Sequence, residues 1–204
     1  MNLIIRLILF FAFAASNVSF ASDTETIILF RHGEKPPDKE IGLLNCQGLN
    51  RALALANLLP QRFGNPDYIF APGTNDKIGN SDEKCSYLRP LITVAPTAIR
   101  LGLPINADFG FLQIEPLQTE LLRSKYRNSV IYVAWEHHKL REMVAKIVAD
   151  LGGTDTVPDW PREDYDSIFV LSILTGNGRQ TVKFHVEKEG ITPVPAFPNP
   201  KLEK

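Results

Sequence analysis

A three-layer α/β fold, with a mostly parallel central sheet and helices on both faces, is predicted by three observations. Short, wholly apolar runs recur along the chain, segments of helical periodicity separate them, and polar residues able to do chemistry cluster where the runs end. A strand that is apolar throughout must be covered on both faces, as strands of parallel sheets are.

The runs at 26–30, 67–71, 130–134 and 167–171 are the predicted inner strands. A last strand over 181–187 reads differently. Val182, Phe184 and Val186 alternate with Lys183, His185 and Glu187, which places one face in solvent and the strand near an edge. Between the strands, Leu49, Ala52, Leu53, Ala56 and Leu59 follow Gly48 at the spacing of one helical face. A second helix is predicted from Pro90, a favoured first helical residue, to about Gly102. A third starts near Pro116. The fourth carries Leu140, Met143, Val144, Ile147, Val148 and Leu151 on one face and stops at Gly152-Gly153. Residues 73–83, rich in Gly, Asn and Asp, read as an exposed loop, and 193–200 as a Pro-rich extended tail.

Residues 1–21 stand apart. One positive charge at Arg6, an apolar run over 7–15 and small residues in Ser19-Phe20-Ala21 form the pattern of a signal peptide cleaved after Ala21. Residues 22–204 then make one domain, with 193–204 as its tail, expected in the periplasm or secreted. No membrane association is expected once the leader is removed. A net charge of −1, with basic residues scattered, gives no reason to expect a nucleic-acid partner. Export would place Cys46 and Cys85 in an oxidising compartment. A disulfide between them is therefore expected, contributing about 4 kcal/mol for a loop of about forty residues.

The chemistry gathers at predicted strand ends. Arg31-His32-Gly33-Glu34 follows the first strand, Arg89 sits just before a helix start, and Glu136, His137 and His138 follow the third strand. In a doubly wound sheet these ends share one edge, where such folds bind ligands. Two arginines and two histidines at helix N-termini would select an anion. The chemistry that suits them is phosphoryl transfer. A neutral imidazole can take the phosphoryl group covalently, fixed cations stabilise the equatorial oxygens, and a carboxyl group moves the proton. Adjacent histidines on a helix are not expected to converge on a metal. Two separated cysteines and no His-x-x-x-His spacing add no further ligands, so a metal site is not expected.

The segment Leu29-Phe30-Arg31-His32-Gly33-Glu34-Lys35-Pro36 resembles the signature of the histidine phosphatase superfamily, the phosphoglycerate-mutase-like fold. Three further segments resemble the family in order: 44–56 with its Gly, Arg-Ala and Ala-Leu-Ala pattern, 89–94 followed by 101–104, and 133–137. The resemblance runs from about Thr26 to Leu151. It implies that His32 is the nucleophile that becomes phosphorylated, and that Arg31, Arg89 and His137 bind the phosphoryl oxygens. It implies no cofactor and a small phosphorylated substrate. Glu136, Glu115 and Glu120 are the candidates for the general acid, Glu136 lying nearest the second histidine.

The sequence departs from the family in three places. His138 follows the second histidine where acid phosphatases and phytases have aspartate, and Lys35 stands where phytase-like members carry arginine. A polar loop after Ala71-Pro72 displaces Ser86 from the expected serine position. These features imply an exported phosphomonoester hydrolase acting through a phosphohistidine. The alternatives are a phosphotransferase or mutase on the same fold, and a non-catalytic module binding phosphate or phosphoglycan.

Overall fold

A computed structural model describes residues 23–37, 41–79 and 84–191. The expected leader and Pro-rich tail lie outside these residues, as does the end of the 73–83 loop. Among the described residues no helix is long and apolar enough to cross a membrane.

The elements in order are β1 (Asp23–Arg31), α1 (Cys46–Phe63), β2 (Tyr68–Phe70), β3 (Lys77–Ile78), β4 (Cys85–Ser86), α2 (Arg89–Leu101), β5 (Ile105–Asn106), α3 (Ile114–Leu121), β6 (Val130–Trp135), α4 (His137–Asp150), β7 (Ser167–Gly176) and β8 (Arg179–Lys188). Six strands form one sheet in the order β5-β2-β6-β1-β7-β8. β5, β2, β6 and β1 run parallel, β7 runs antiparallel to β1, and β8 runs antiparallel to β7, so the sheet is mixed. Asn177 and Gly178, at φ 51° and 73°, form the turn that joins β7 to β8. Positive φ at both central residues is what a type I′ hairpin turn requires. β8 is an edge strand, as its alternation predicts.

β1 is covered on both sides. Ile27 and Leu29 pack with α3 and α4 through Leu117, Met143 and Val144. Ile28 and Phe30 pack with α1 and α2 through Leu55, Leu59 and Val94. These are the three expected layers, and they explain the unbroken apolar run.

Four expectations need correction. Leu49 and Leu53 are 39% and 52% exposed, and α1 instead buries Arg51 and Leu55. The expected Ala52, Ala56 and Leu59 are buried on the same face, where Arg51 pairs with the two buried carboxylates of Glu34 and Glu189. Residues 73–83 are not all loop, because β3 pairs with β4 in a small hairpin. The Cys46–Cys85 disulfide is not formed. Cys46 is an exposed thiol in the first turn of α1, and the Cys85 thiol donates to the Ile78 carbonyl at 3.6 Å. β5, too short for a periodicity signal, adds a strand the sequence pattern does not announce.

Glu25 is buried in β1, and burial pushes its carboxyl up to about 8 against the opposing pull of Arg127. The native state therefore holds a proton that the unfolded chain, near 4.5, has released. Unfolding free energy should fall as pH rises from 4.5 towards 8. Glu25→Gln is expected to remove part of that fall in denaturant melts across this window. Parallel pH profiles for the two proteins would refute it.

Candidate active site

Register brings the two histidine segments together. In the parallel pair β1–β6, Arg31 lies opposite Trp135, so the next residues, His32 and Glu136, emerge side by side at one sheet edge. His32 N–H donates to the Trp135 carbonyl at 3.1 Å and fixes that exit. Arg89 opens α2 and His137 opens α4, so both stand at helix N-termini, where a bound anion is favoured.

The turn carrying His32 is held from several directions. Gly33 N–H donates to Thr93 Oγ1 at 2.9 Å, and the Thr93 hydroxyl donates to the Arg89 carbonyl at 2.9 Å. Thr93 thereby links the two segments. Asn45 N–H donates to the Glu34 carbonyl at 2.9 Å, and its side chain caps α1 by accepting from Gly48 N–H at 2.8 Å. A side-chain carbon on Gly33 would lie 2.6 Å from the Gly48 carbonyl oxygen. Glycine at both crossing points is what lets α1 approach the turn.

Beneath the turn, the Arg51 guanidinium donates to Glu34 at 2.8 to 3.1 Å and also pairs with Glu189. One cation between two carboxylates leaves one negative charge over. Burial holds Glu189, the drier of the two, up at about 8. The Arg51 guanidinium is held charged; burial opposes this, but the Glu34 and Glu189 contacts prevail.

His32 is 3% exposed. Burial, with the Arg89 and Arg31 charges adding to it, pushes the ring down to about 3. Its Nδ1 lies 2.7 Å from the Gly33 carbonyl, which can only accept, so Nδ1 carries the proton and Nε2 keeps its lone pair. That is the protonation state a nitrogen nucleophile needs.

Arg31 divides its donors. One terminal nitrogen donates to the carbonyls of Arg162 and Asp164, the latter at 3.2 Å, and the guanidinium stacks 3.8 Å over the Tyr165 ring. Its Nε is buried with no hydrogen-bond partner among the described residues, and so is His137 Nε2. Buried polar atoms left open in this way mark a place for a ligand. Arg89 lies 4.8 Å over the Tyr87 ring, and that ring meets His32 edge-on at 6.1 Å.

Glu136 caps α4 through Lys139 N–H at 2.9 Å, and its other oxygen lies 2.6 Å from His137 Nδ1. Burial pushes this carboxyl up, but His137 and the Lys139 and His138 amides outweigh it and bring it to about 2. Of the three candidate acids, only Glu136 lines the same cavity as His32. Glu120 pairs with Lys125 and Tyr126, and Glu115 lies in a groove beside Lys139 and Met143.

The cavity, about 230 Å³, is lined by Arg31, His32, Arg89, Glu136 and His137, and at its mouth by Lys35, His138 and Arg162. Larger hollows exist, such as one of about 380 Å³ beside Tyr68 and Lys125, but no buried histidine lines that one. His137 and His138 do come together, contrary to expectation. Their rings are 4.0 Å apart, and donor atoms of Glu136, His137 and His138 all lie within 4.8 Å of one another. The capping turn folds Glu136 back over the first helical residues, which sequence spacing does not convey. Both Glu136 oxygens are engaged and four cations line the same cavity, so the local field favours an anion over a divalent cation.

Sequence reasoning missed Thr93, Arg51, Glu189 and Arg162. Only Arg51 left a trace, as a charged residue within an otherwise apolar helical stretch.

No protein-family model matches the sequence, and no curated protein matches it. Solved structures do. One, provisionally named phosphohistidine phosphatase SixA from Nakamurella multipartitia, is 13% identical, with a TM-score of 0.50 over 80% of this chain and 95% of that one. A mycobacterial glucosyl-3-phosphoglycerate phosphatase with inorganic phosphate is 16% identical, with a TM-score of 0.48 over 79% and 95%. A second provisionally named SixA, from Agrobacterium tumefaciens, is 17% identical, with a TM-score of 0.41 over 79% and 97%. The first superposition carries the fold assignment: this chain has a phosphoglycerate-mutase-like α/β fold.

Proposed function

We propose that the protein is a phosphomonoester hydrolase that works through a phosphohistidine on His32 without a metal, and that it acts outside the cytoplasm. The observation that carries the reading is the neutral, buried His32 with its Nε2 lone pair free, set in a cavity with Arg31, Arg89 and His137.

Phosphate oxygens would meet the open Nε of Arg31, the Arg89 guanidinium and His137. His32 Nε2 attacks phosphorus as the bond from phosphorus to the leaving oxygen breaks, and the leaving alkoxide takes a proton from Glu136. In the second step water attacks phosphorus and the phosphorus–nitrogen bond breaks. Glu136 takes a proton from that water, and His32 returns neutral. The protein's own groups hold Glu136 ionised, so the charge of the bound dianion must push its carboxyl up for it to deliver a proton. Export rests on the expected leader, and the mass of the protein recovered from outside the cytoplasm tests cleavage after Ala21.

The functional test is hydrolysis of an aryl phosphate in the presence of a chelator, with phosphohistidine trapped by rapid acid-free quench. Turnover that chelator abolishes would overturn the metal-free reading. Glu136→Gln keeps an oxygen to cap α4 but cannot deliver the proton. It is expected to slow alkyl phosphate hydrolysis about 10²–10⁴-fold. Esters with good leaving groups, which need no proton, should slow much less. An equal loss on both would remove Glu136 from the acid role.

One observation favours a second reading, a phosphate-binding module: both Glu136 oxygens are already engaged. Tight phosphate binding without turnover would select it.

A further inference from the structure

We infer that the substrate carries a second negative charge on its leaving group, and that Arg162 reads it. This rests on the cavity being a phosphoester site. Arg31 and Arg89 can match the two charges of the reacting phosphate, and a third arginine, Arg162, also lines the same cavity. At about 230 Å³ the cavity encloses the phosphoryl group and a few atoms beyond it, so a leaving group passes the exposed Arg162 on its way out.

Arg162 is placed for this task. Its backbone lies on a short, fixed platform between β7 and the end of α4. Trp160, buried, donates from its indole to the Asp164 carbonyl at 3.1 Å. The Asp164 side chain accepts from the Asp166 and Ser167 amides at 2.9 and 3.0 Å, and from the Ser167 hydroxyl at 2.6 Å. Arg31 grips the Arg162 carbonyl itself. The arginine that faces phosphate therefore also sets the position of the arginine at the mouth. The Arg162 side chain is exposed, on a backbone that is already ordered, so little more than its own rotamer freedom is lost on binding.

The test uses the full chain and a matched pair of esters, para-(carboxymethyl)phenyl phosphate and para-ethylphenyl phosphate, at low ionic strength. The same comparison is repeated for binding with the corresponding benzylphosphonates, by calorimetry, on wild type and Arg162→Ala. Because the Arg162 side chain is exposed, its removal should leave the melting temperature in place.

The ratio of kcat/KM for the charged over the neutral ester is expected to drop about fivefold in Arg162→Ala, the scale of an exposed ion pair. The wild-type ratio should also shrink as salt is added. An unchanged ratio in the variant overturns the inference. Should neither ester turn over, the phosphonates still decide it. A charge preference in wild-type binding that the variant loses keeps Arg162 as the reader and sinks the hydrolase reading instead. Equal binding of the two phosphonates by wild type overturns the role of Arg162.

Discussion

His32→Ala is expected to lower aryl phosphate turnover by about 10⁴-fold or more while inorganic phosphate still binds. The size follows from the chemistry. Nucleophilic catalysis divides hydrolysis into two easier steps, and both require the Nε2 lone pair. His137 does not stand at the same position, because it opens α4 on the neighbouring segment. The cations remain in the variant, so calorimetric titration with phosphate should show binding and a melt should show a folded protein. Turnover within tenfold of wild type would end the phosphohistidine mechanism.

Arg51→Ala is expected to cost about 3–5 kcal/mol of stability, the range seen when one partner of a buried ion pair is removed. Two carboxylates, Glu34 and Glu189, would remain buried without their cation. Glu34 belongs to the same turn as His32, so turnover should fall as well. Glu189→Gln separates the effects. It removes the drier carboxylate, already held towards its neutral form, and should be much milder. In the double variant, the cost of losing Arg51 should shrink. Equilibrium denaturant melts of the four proteins complete the cycle. A cost below 1 kcal/mol for Arg51→Ala would show that the cluster relaxes into water.

The sequence made the layers legible because apolar strands and amphipathic helices have different periods, and 26–30, 130–134 and the Leu140–Leu151 face carry those periods cleanly. The convergence of Arg31, His32, Arg89, Glu136 and His137 at one edge was legible because strand ends in such sheets share an edge. What stayed hidden depends on contacts between distant residues. Arg51 reads as a solvent-facing charge until Glu34 and Glu189, separated from it by 17 and 138 positions, are placed beside it. The use of Arg31 to hold the Arg162 and Asp164 carbonyls is backbone recognition, which leaves no mark on residue type. The closeness of His138 to His137 and Glu136 depends on how one helical cap closes. The antiparallel β7–β8 hairpin is a different case, since Asn177-Gly178 between strand-like runs is a turn signal in its own right.

The central position of β1 has a consequence for how the chain is made. β1 hydrogen-bonds to β6 and β7, so Thr26 waits for Val130 on one side and Ser172 on the other. During synthesis the strand that delivers His32 emerges early, yet its partners come late, and until then Ile27–Ile28–Leu29–Phe30 is an unpaired apolar edge. Long-range pairing of this kind slows folding and exposes the nascent chain to aggregation. Chains ending before β7 should therefore be recovered as aggregates, not as smaller folded proteins.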